Sequence, residues 1–130
     1  MSVRLETIKN NITAYMIETG TYEGNTAKTC AQLDFEKVFT IELQTRLYET
    51  SRENLKEYIE SGKVETFLGD SAEKLPEILS GLDKECTILL DAHIDGGNYV
   101  RGITPEIHKC PLYKELQAIK NHKINTHTII

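Results

Sequence analysis

The stretch Tyr15-Met16-Ile17-Glu18-Thr19-Gly20-Thr21-Tyr22-Glu23-Gly24-Asn25-Thr26 constrains the fold of this chain more than any other. A short apolar run, Ala14 to Ile17, reads as a buried strand that Glu18 closes, and two glycines lead on into a segment whose Ala27, Cys30, Ala31 and Leu33 share a helical face. Gly20 and Gly24 let the backbone turn tightly and approach a ligand. Strand, glycine loop and helix in that order put the ligand at the helix N-terminus, where nucleotide-type ligands are held.

The charges of the loop choose among such ligands. A dinucleotide-binding loop runs G-x-G-x-x-G, whereas here the spacing is G-x-x-x-G, with Tyr22 where the middle glycine would stand. Glu18 and Glu23 would set two carboxylates against a pyrophosphate that needs N–H donors and positive potential. S-adenosylmethionine has no phosphate and carries an ammonium and a sulfonium, so an acidic glycine loop suits it. The alternative is a βα turn that binds nothing, since short glycine motifs also occur by chance.

With 130 residues the chain is long enough for one domain with a real core and too short for two ordinary ones. No apolar run is long enough to span a bilayer, and the N-terminus lacks the apolar core of a signal peptide, so the expected compartment is the cytoplasm. Cys30, Cys86 and Cys110 lack paired metal-ligand spacing and read as small buried apolar residues or free thiols. Residues 1 to 100 carry 10 Lys and Arg against 18 Asp and Glu, while residues 101 to 130 carry 5 against 2. Such an acidic surface argues against nucleic acid as a partner. The basic tail, with Arg101, Lys109, Lys114, Lys120 and Lys123, suits an anionic substrate or a solvated helix face.

Taken in order, residues 1 to 12 form a polar helical lead-in with Val3, Leu5, Ile8 and Ile12 available to cover one end of a sheet. Lys37 to Glu42 is a second strand ending in an acid, and Thr45 to Ser61 the longest helix, with Leu47, Ser51, Leu55, Tyr58 and Ile59 on one face and Gly62 as its stop. Lys63 to Leu68 is a third strand, and Asp70 or Ser71 caps the next helix, where Pro76 predicts two short turns that restart rather than one regular helix. Cys86 to Leu90, the most continuous apolar run, is a central strand, ended by Asp91. A long loop from Ala92 to Cys110 follows, then a helix from Pro111 with Leu112, Leu116 and Ile119 on one face, and a fifth strand from Thr126 to Ile130. Strand and helix alternate five times, which predicts an α/β, Rossmann-like parallel sheet with helices on both faces.

Glu18, Glu42, Asp70 and Asp91 all fall at the carboxyl edge of that sheet, the edge where open α/β sheets bind ligands. Glu42 can accept from both hydroxyls of a ribose or stand as a solvated acid. Asp70 can accept from an adenine amine or serve as a helix cap, and the backbone at Ser71 can meet a ring nitrogen. Four segments, Glu18-Thr19-Gly20-Thr21-Tyr22-Glu23-Gly24, Phe39-Thr40-Ile41-Glu42, Leu68-Gly69-Asp70-Ser71-Ala72-Glu73 and Leu89-Leu90-Asp91-Ala92-His93, resemble the class I S-adenosylmethionine-dependent methyltransferases over residues 13 to 130. Within that family the chain looks closest to the macrocin-type O-methyltransferases. The resemblance implies that Glu18, Gly20, Thr21, Tyr22 and Gly24 frame the methionine end of the cofactor, Glu42 holds the ribose, and Asp70 and Ser71 face the adenine. It also places Asp91 beside the methyl group or a Mg2+ ion, and His93 beside the acceptor as general base or as a histidine that braces its loop.

The family sheet has seven strands and this sequence supplies five, so residues 1–130 are expected to be a single, C-terminally incomplete S-adenosylmethionine-binding domain. Its fifth strand would then be an exposed edge through which copies of the chain could associate. Three readings follow: an S-adenosylmethionine-dependent methyltransferase acting on an oxygen of a small molecule or sugar, a non-catalytic remnant or partner subunit, and an NAD-binding oxidoreductase whose ribose Glu42 would hold.

Overall fold

Apolar residues fill both faces of the strands, and the chain responds by covering each face with helices. A computed structural model describes residues 3–92 and 112–130. In chain order the elements are α1 (Val3–Lys9), β1 (Tyr15–Thr19), α2 (Asn25–Ala31), β2 (Lys37–Glu42), α3 (Thr45–Asn54), α4 (Lys56–Glu60), β3 (Val64–Leu68), α5 (Ser71–Ser80), β4 (Cys86–Leu90), α6 (Leu112–Lys120) and β5 (Thr128–Ile129). All five strands are parallel, in the order β3-β2-β1-β4-β5. The order reverses between β1 and β4, and at such a switch point the loops part and leave a crevice above the strand ends.

Alternation along the strands sorts the side chains into two layers. Met16, Val38, Val64 and Leu89 face Ile8, Ala27, Cys30, Phe35 and Leu55 on one side. Ile17, Phe39, Ile41 and Ile88 face Leu75, Ile78, Leu79 and Ile119 on the other. Cys30 and Cys86 are buried free thiols whose burial pushes each up to about 12, which fits the small apolar role expected of them.

Four details differ from the sequence reading. β1 runs on to Thr19, so Glu18 lies inside the strand rather than closing it. The long second helix is broken at Leu55, whose backbone leaves helical geometry as its side chain enters the core beneath Gly24. Pro76 sits inside one uninterrupted helix. A proline there costs about 3 kcal/mol, but Leu75, Ile78 and Leu79 are buried against the sheet around it, at about 2 kcal/mol each. Burial therefore wins and the helix stays regular. Finally, α6 turns Glu115 and Ile119 inward, one turn apart, and leaves Leu112 and Leu116 at 42% and 40% exposure. Ile8 is buried as expected, whereas Ile12 lies beyond the end of α1 and is exposed.

Candidate functional site

The loop between β1 and α2 is built on backbone that L-residues rarely adopt. Gly20, Tyr22 and Gly24 have φ of 84°, 55° and 92°. The left-handed positions thus recur every second residue, and Tyr22 holds one that glycine would adopt without strain. Its N–H donates to Glu42 Oε1 at 2.7 Å, and the Gln44 N–H donates to Glu42 Oε2 at 3.0 Å. Glu42 therefore clamps the loop to the end of β2, and its strand-end position has a structural use as well as a possible ligand. Gly20 approaches β4 so closely that a Cβ would stand 2.6 Å from the Asp91 carbonyl oxygen. Gly24 begins α2 above Leu55 and Ser51.

Beneath the loop lies a chain of hydroxyls ending in an acid. Thr21 Oγ1 is 2.6 Å from Thr40 Oγ1, and Thr40 donates to Glu18 Oε1 at 2.8 Å. Glu18 is fully buried, and desolvation, offset in part by the Thr40 hydrogen bond and reinforced by the nearby Asp91 charge, pushes its carboxyl up to about 8. Asp91 Oδ2 accepts from Arg4, on α1, at 2.8 Å. Asp70 caps α5, accepting from the Ala72 N–H at 2.9 Å. That is the capping role the sequence allowed for it, at a residue that also borders the crevice.

These groups border one cavity of roughly 590 Å³. Glu18, Gly20, Thr21, Tyr22, Glu42, Asp70, Ser71 and Asp91 all line it, while Gly24, the N-cap of α2, does not. His93, the expected base, falls outside the described residues, as do Cys110, His108 and most of the loop after β4. Sequence reasoning missed Arg4, which reaches the cavity from a helix given no chemistry, and Thr40, whose register opposite Glu18 delivers its hydroxyl. The described residues do not by themselves supply a magnesium site. Asp91 is engaged by Arg4, and among the described residues no group of three potential metal ligands occurs.

No protein-family model matches the sequence, and no curated protein matches it. Solved structures do. The SAH-bound methyltransferase PaMTH1 of Podospora anserina is 21% identical, with a TM-score of 0.63 over 94% of this chain and 48% of its own. The precorrin 8W decarboxylase of Methanobacterium thermoautotrophicum is 18% identical, with a TM-score of 0.62 over 99% and 60%. The O-methyltransferase TomG of Streptomyces achromogenes, solved in complex with SAM, is 20% identical, with a TM-score of 0.54 over 88% and 48%. The chain spans about half of the length of these proteins. Among the described residues no helix is long and apolar enough to cross a membrane. The chain has the Rossmann-like α/β fold of methyltransferases.

Proposed function

We propose that this chain binds S-adenosylmethionine and forms the cofactor-binding part of a methyltransferase that acts on an oxygen of a small molecule or sugar. The observation that carries the reading is the meeting of a buried carboxyl, Glu18, with a glycine loop at the switch point of the sheet, in a cavity that Glu42, Asp70 and Asp91 make acidic. A cation is the ligand charge that such a cavity favours, and a pyrophosphate the one it disfavours. The methyltransferases PaMTH1 and TomG, solved with SAH and SAM, share the fold and support the choice.

In this reading the Gly20–Gly24 loop holds the methionine end, where an ammonium beside Glu18 would draw the proton off its carboxyl. Each Glu42 oxygen accepts one N–H and retains a second lone pair for a ribose hydroxyl. Asp70 and Ser71 form the wall against the adenine. S-adenosylmethionine, held by these residues, would supply an electrophilic methyl group for the acceptor oxygen, and a base of the protein would take the acceptor's proton. His93 is the candidate base by its place after β4. The chain's own contribution is alignment, together with exclusion of water by the loop. The resemblance of the Leu89-Leu90-Asp91-Ala92-His93 strand end to that of macrocin-type enzymes favours oxygen as the acceptor atom.

Calorimetric titration tests the reading directly. Saturable binding of S-adenosylmethionine and S-adenosylhomocysteine is expected, with none of NAD, and Glu42→Ala should weaken the first two at least about tenfold. Preferential binding of NAD, or an unaltered affinity in Glu42→Ala, would overturn it.

A further inference from the structure

Behind the wall at Asp70–Ser71 lies a buried polar group that the proposed cofactor contacts do not use. Glu115 projects inward from α6 and is 1% exposed. Its carboxyl lies beside the hydroxyls of Ser71, the first residue of α5, and Thr19, the last residue of β1. Yet among the described residues neither Glu115 oxygen, nor Ser71 Oγ, completes a hydrogen bond of normal geometry. Native proteins rarely leave such groups without a use. Thr19 Oγ1 already accepts from the N–H groups of Asp91 and Ala92, each at 3.0 Å, so the Thr19 proton is the part of that hydroxyl left to donate. The placement follows from strand alternation, since Thr19 shares a face with Ile17 and so points at the layer of α5 and α6.

We propose that Glu115 is a positioning residue for the adenine end of the cavity, the common partner through which α6 fixes the Ser71 and Thr19 hydroxyls and holds the α5 wall in register with the Asp91–Ala92 backbone. The inference rests on the cofactor reading above only for which end of the ligand it serves. Burial, opposed by the two hydroxyls and reinforced by the neighbouring Asp70 charge, raises the carboxyl from its ordinary range. A neutral acid can accept from Thr19 and donate to Ser71 Oγ, which an anion cannot do. Asp70 is the charged group that faces it from α5. From β1 it meets the Thr19 hydroxyl.

The test compares the full chain with Glu115→Gln and Glu115→Leu, by amide hydrogen exchange and by titration with S-adenosylhomocysteine. Gln keeps the shape and can likewise accept from Thr19 and donate to Ser71, so exchange protection at Ala72, Asp91 and Ala92 and the affinity should stay within about threefold of the parent. Leu fills the volume without a polar atom, so it should keep the melting temperature while protection at those three amides and the affinity each fall about tenfold. Unaltered protection in Glu115→Leu would overturn the proposal and leave Glu115 as packing alone. Loss of protection in a chain that binds no S-adenosylhomocysteine in any form would instead sink the cofactor reading and leave the positioning role standing. Should Glu115→Leu fail to fold, the pH profile decides. Protection factors at the three amides should drop with rising pH more steeply in the parent than in Glu115→Gln, which keeps the Glu18 contribution, and identical profiles would overturn the proposal.

Discussion

The two edges of the sheet treat their polar groups in opposite ways. At the amino edge a closed relay runs from the Cys86 N–H to His127 Nδ1 at 2.9 Å, between His127 Nε2 and His122 Nδ1 at 2.8 Å, and from His122 Nε2 to the Leu82 carbonyl at 3.0 Å. Because Cys86 can only donate and Leu82 can only accept, each neutral ring has one tautomer that fits, with its proton on Nε2. Every donor meets an acceptor and nothing is left over. At the carboxyl edge, among the described residues, Glu18 accepts from one hydroxyl, the Glu115 and Ser71 side chains complete no bond, and left-handed backbone is held in place by Glu42. A closed relay stabilises a fold, whereas acids short of donors create a demand that a ligand can meet.

The largest effect should come from Gly20→Ala. A Cβ there would meet the Asp91 carbonyl oxygen at 2.6 Å on a backbone with φ of 84°, so strain and overlap add, and we expect a loss of about 3 kcal/mol or more in denaturant unfolding. Gly62 has nearly the same φ, 83°, with nothing within 4 Å of a Cβ, so Gly62→Ala should cost only about 1 kcal/mol. Equal losses at the two sites would show that φ alone matters, and that the close approach of the loop to β4 does not.

Next come the two pH limbs, which should break the two edges separately. Glu18 is raised from 4.5 to about 8, so the folded state binds the extra proton and its contribution, complete below pH 4.5, is lost as pH rises through 8. His127 is lowered from 6.5 by burial and by its His122 neighbour, so its contribution is complete above pH 6.5 and is lost as pH falls. Alkali therefore weakens the carboxyl edge and acid the amino edge. Glu18→Gln should flatten most of the alkaline limb of the melting temperature, leaving the part due to Glu115, whose raised carboxyl acts in the same direction. His127→Ala should flatten the acid limb while costing about 2 kcal/mol at neutral pH, through the orphaned Cys86 N–H and the broken relay. A Glu18→Gln chain with the parent's alkaline limb would remove the carboxyl edge from the comparison.

How legible each edge was in the sequence follows from what kind of pattern encodes it. Strand alternation and the acids at or near the strand ends are local, so the five-stranded sheet and the lining by Glu18, Glu42, Asp70 and Asp91 could be read directly. Gly20 and Gly24 were legible as turn formers, but Tyr22 hid its left-handed backbone because that conformation is imposed by Glu42, a tertiary partner. Glu115 was invisible for a similar reason. On α6 the apolar spacing of Leu112, Leu116 and Ile119 suggested the buried face, and only the docking of α6 on α5 selects the Glu115 and Ile119 side. Arg4's pairing with Asp91 and the relay that ties His122 and His127 to Leu82 and Cys86 join segments far apart in sequence, which no short motif reports. Pro76 misled because a local breaker was given more weight than the three apolar side chains whose burial outweighs it.

The smallest effect is expected at the Lys84–Glu36 ion pair, and its smallness is informative. Lys84 Nζ sits 3.1 Å from Glu36 Oε1 at the same end of the sheet as the histidine relay, with both side chains about half exposed. Water screens such a pair and side-chain entropy opposes it, so proximity to the relay should not make it matter. Lys84→Ala should leave the melting temperature and both pH limbs unaltered, and added salt should act equally on parent and variant. If Lys84→Ala instead steepened the acid limb, the stability of the amino edge would depend on long-range charge around His127 as well as on the relay. The contrast between a closed hydrogen-bond relay and an acid-rich crevice would then need an electrostatic contribution at both edges.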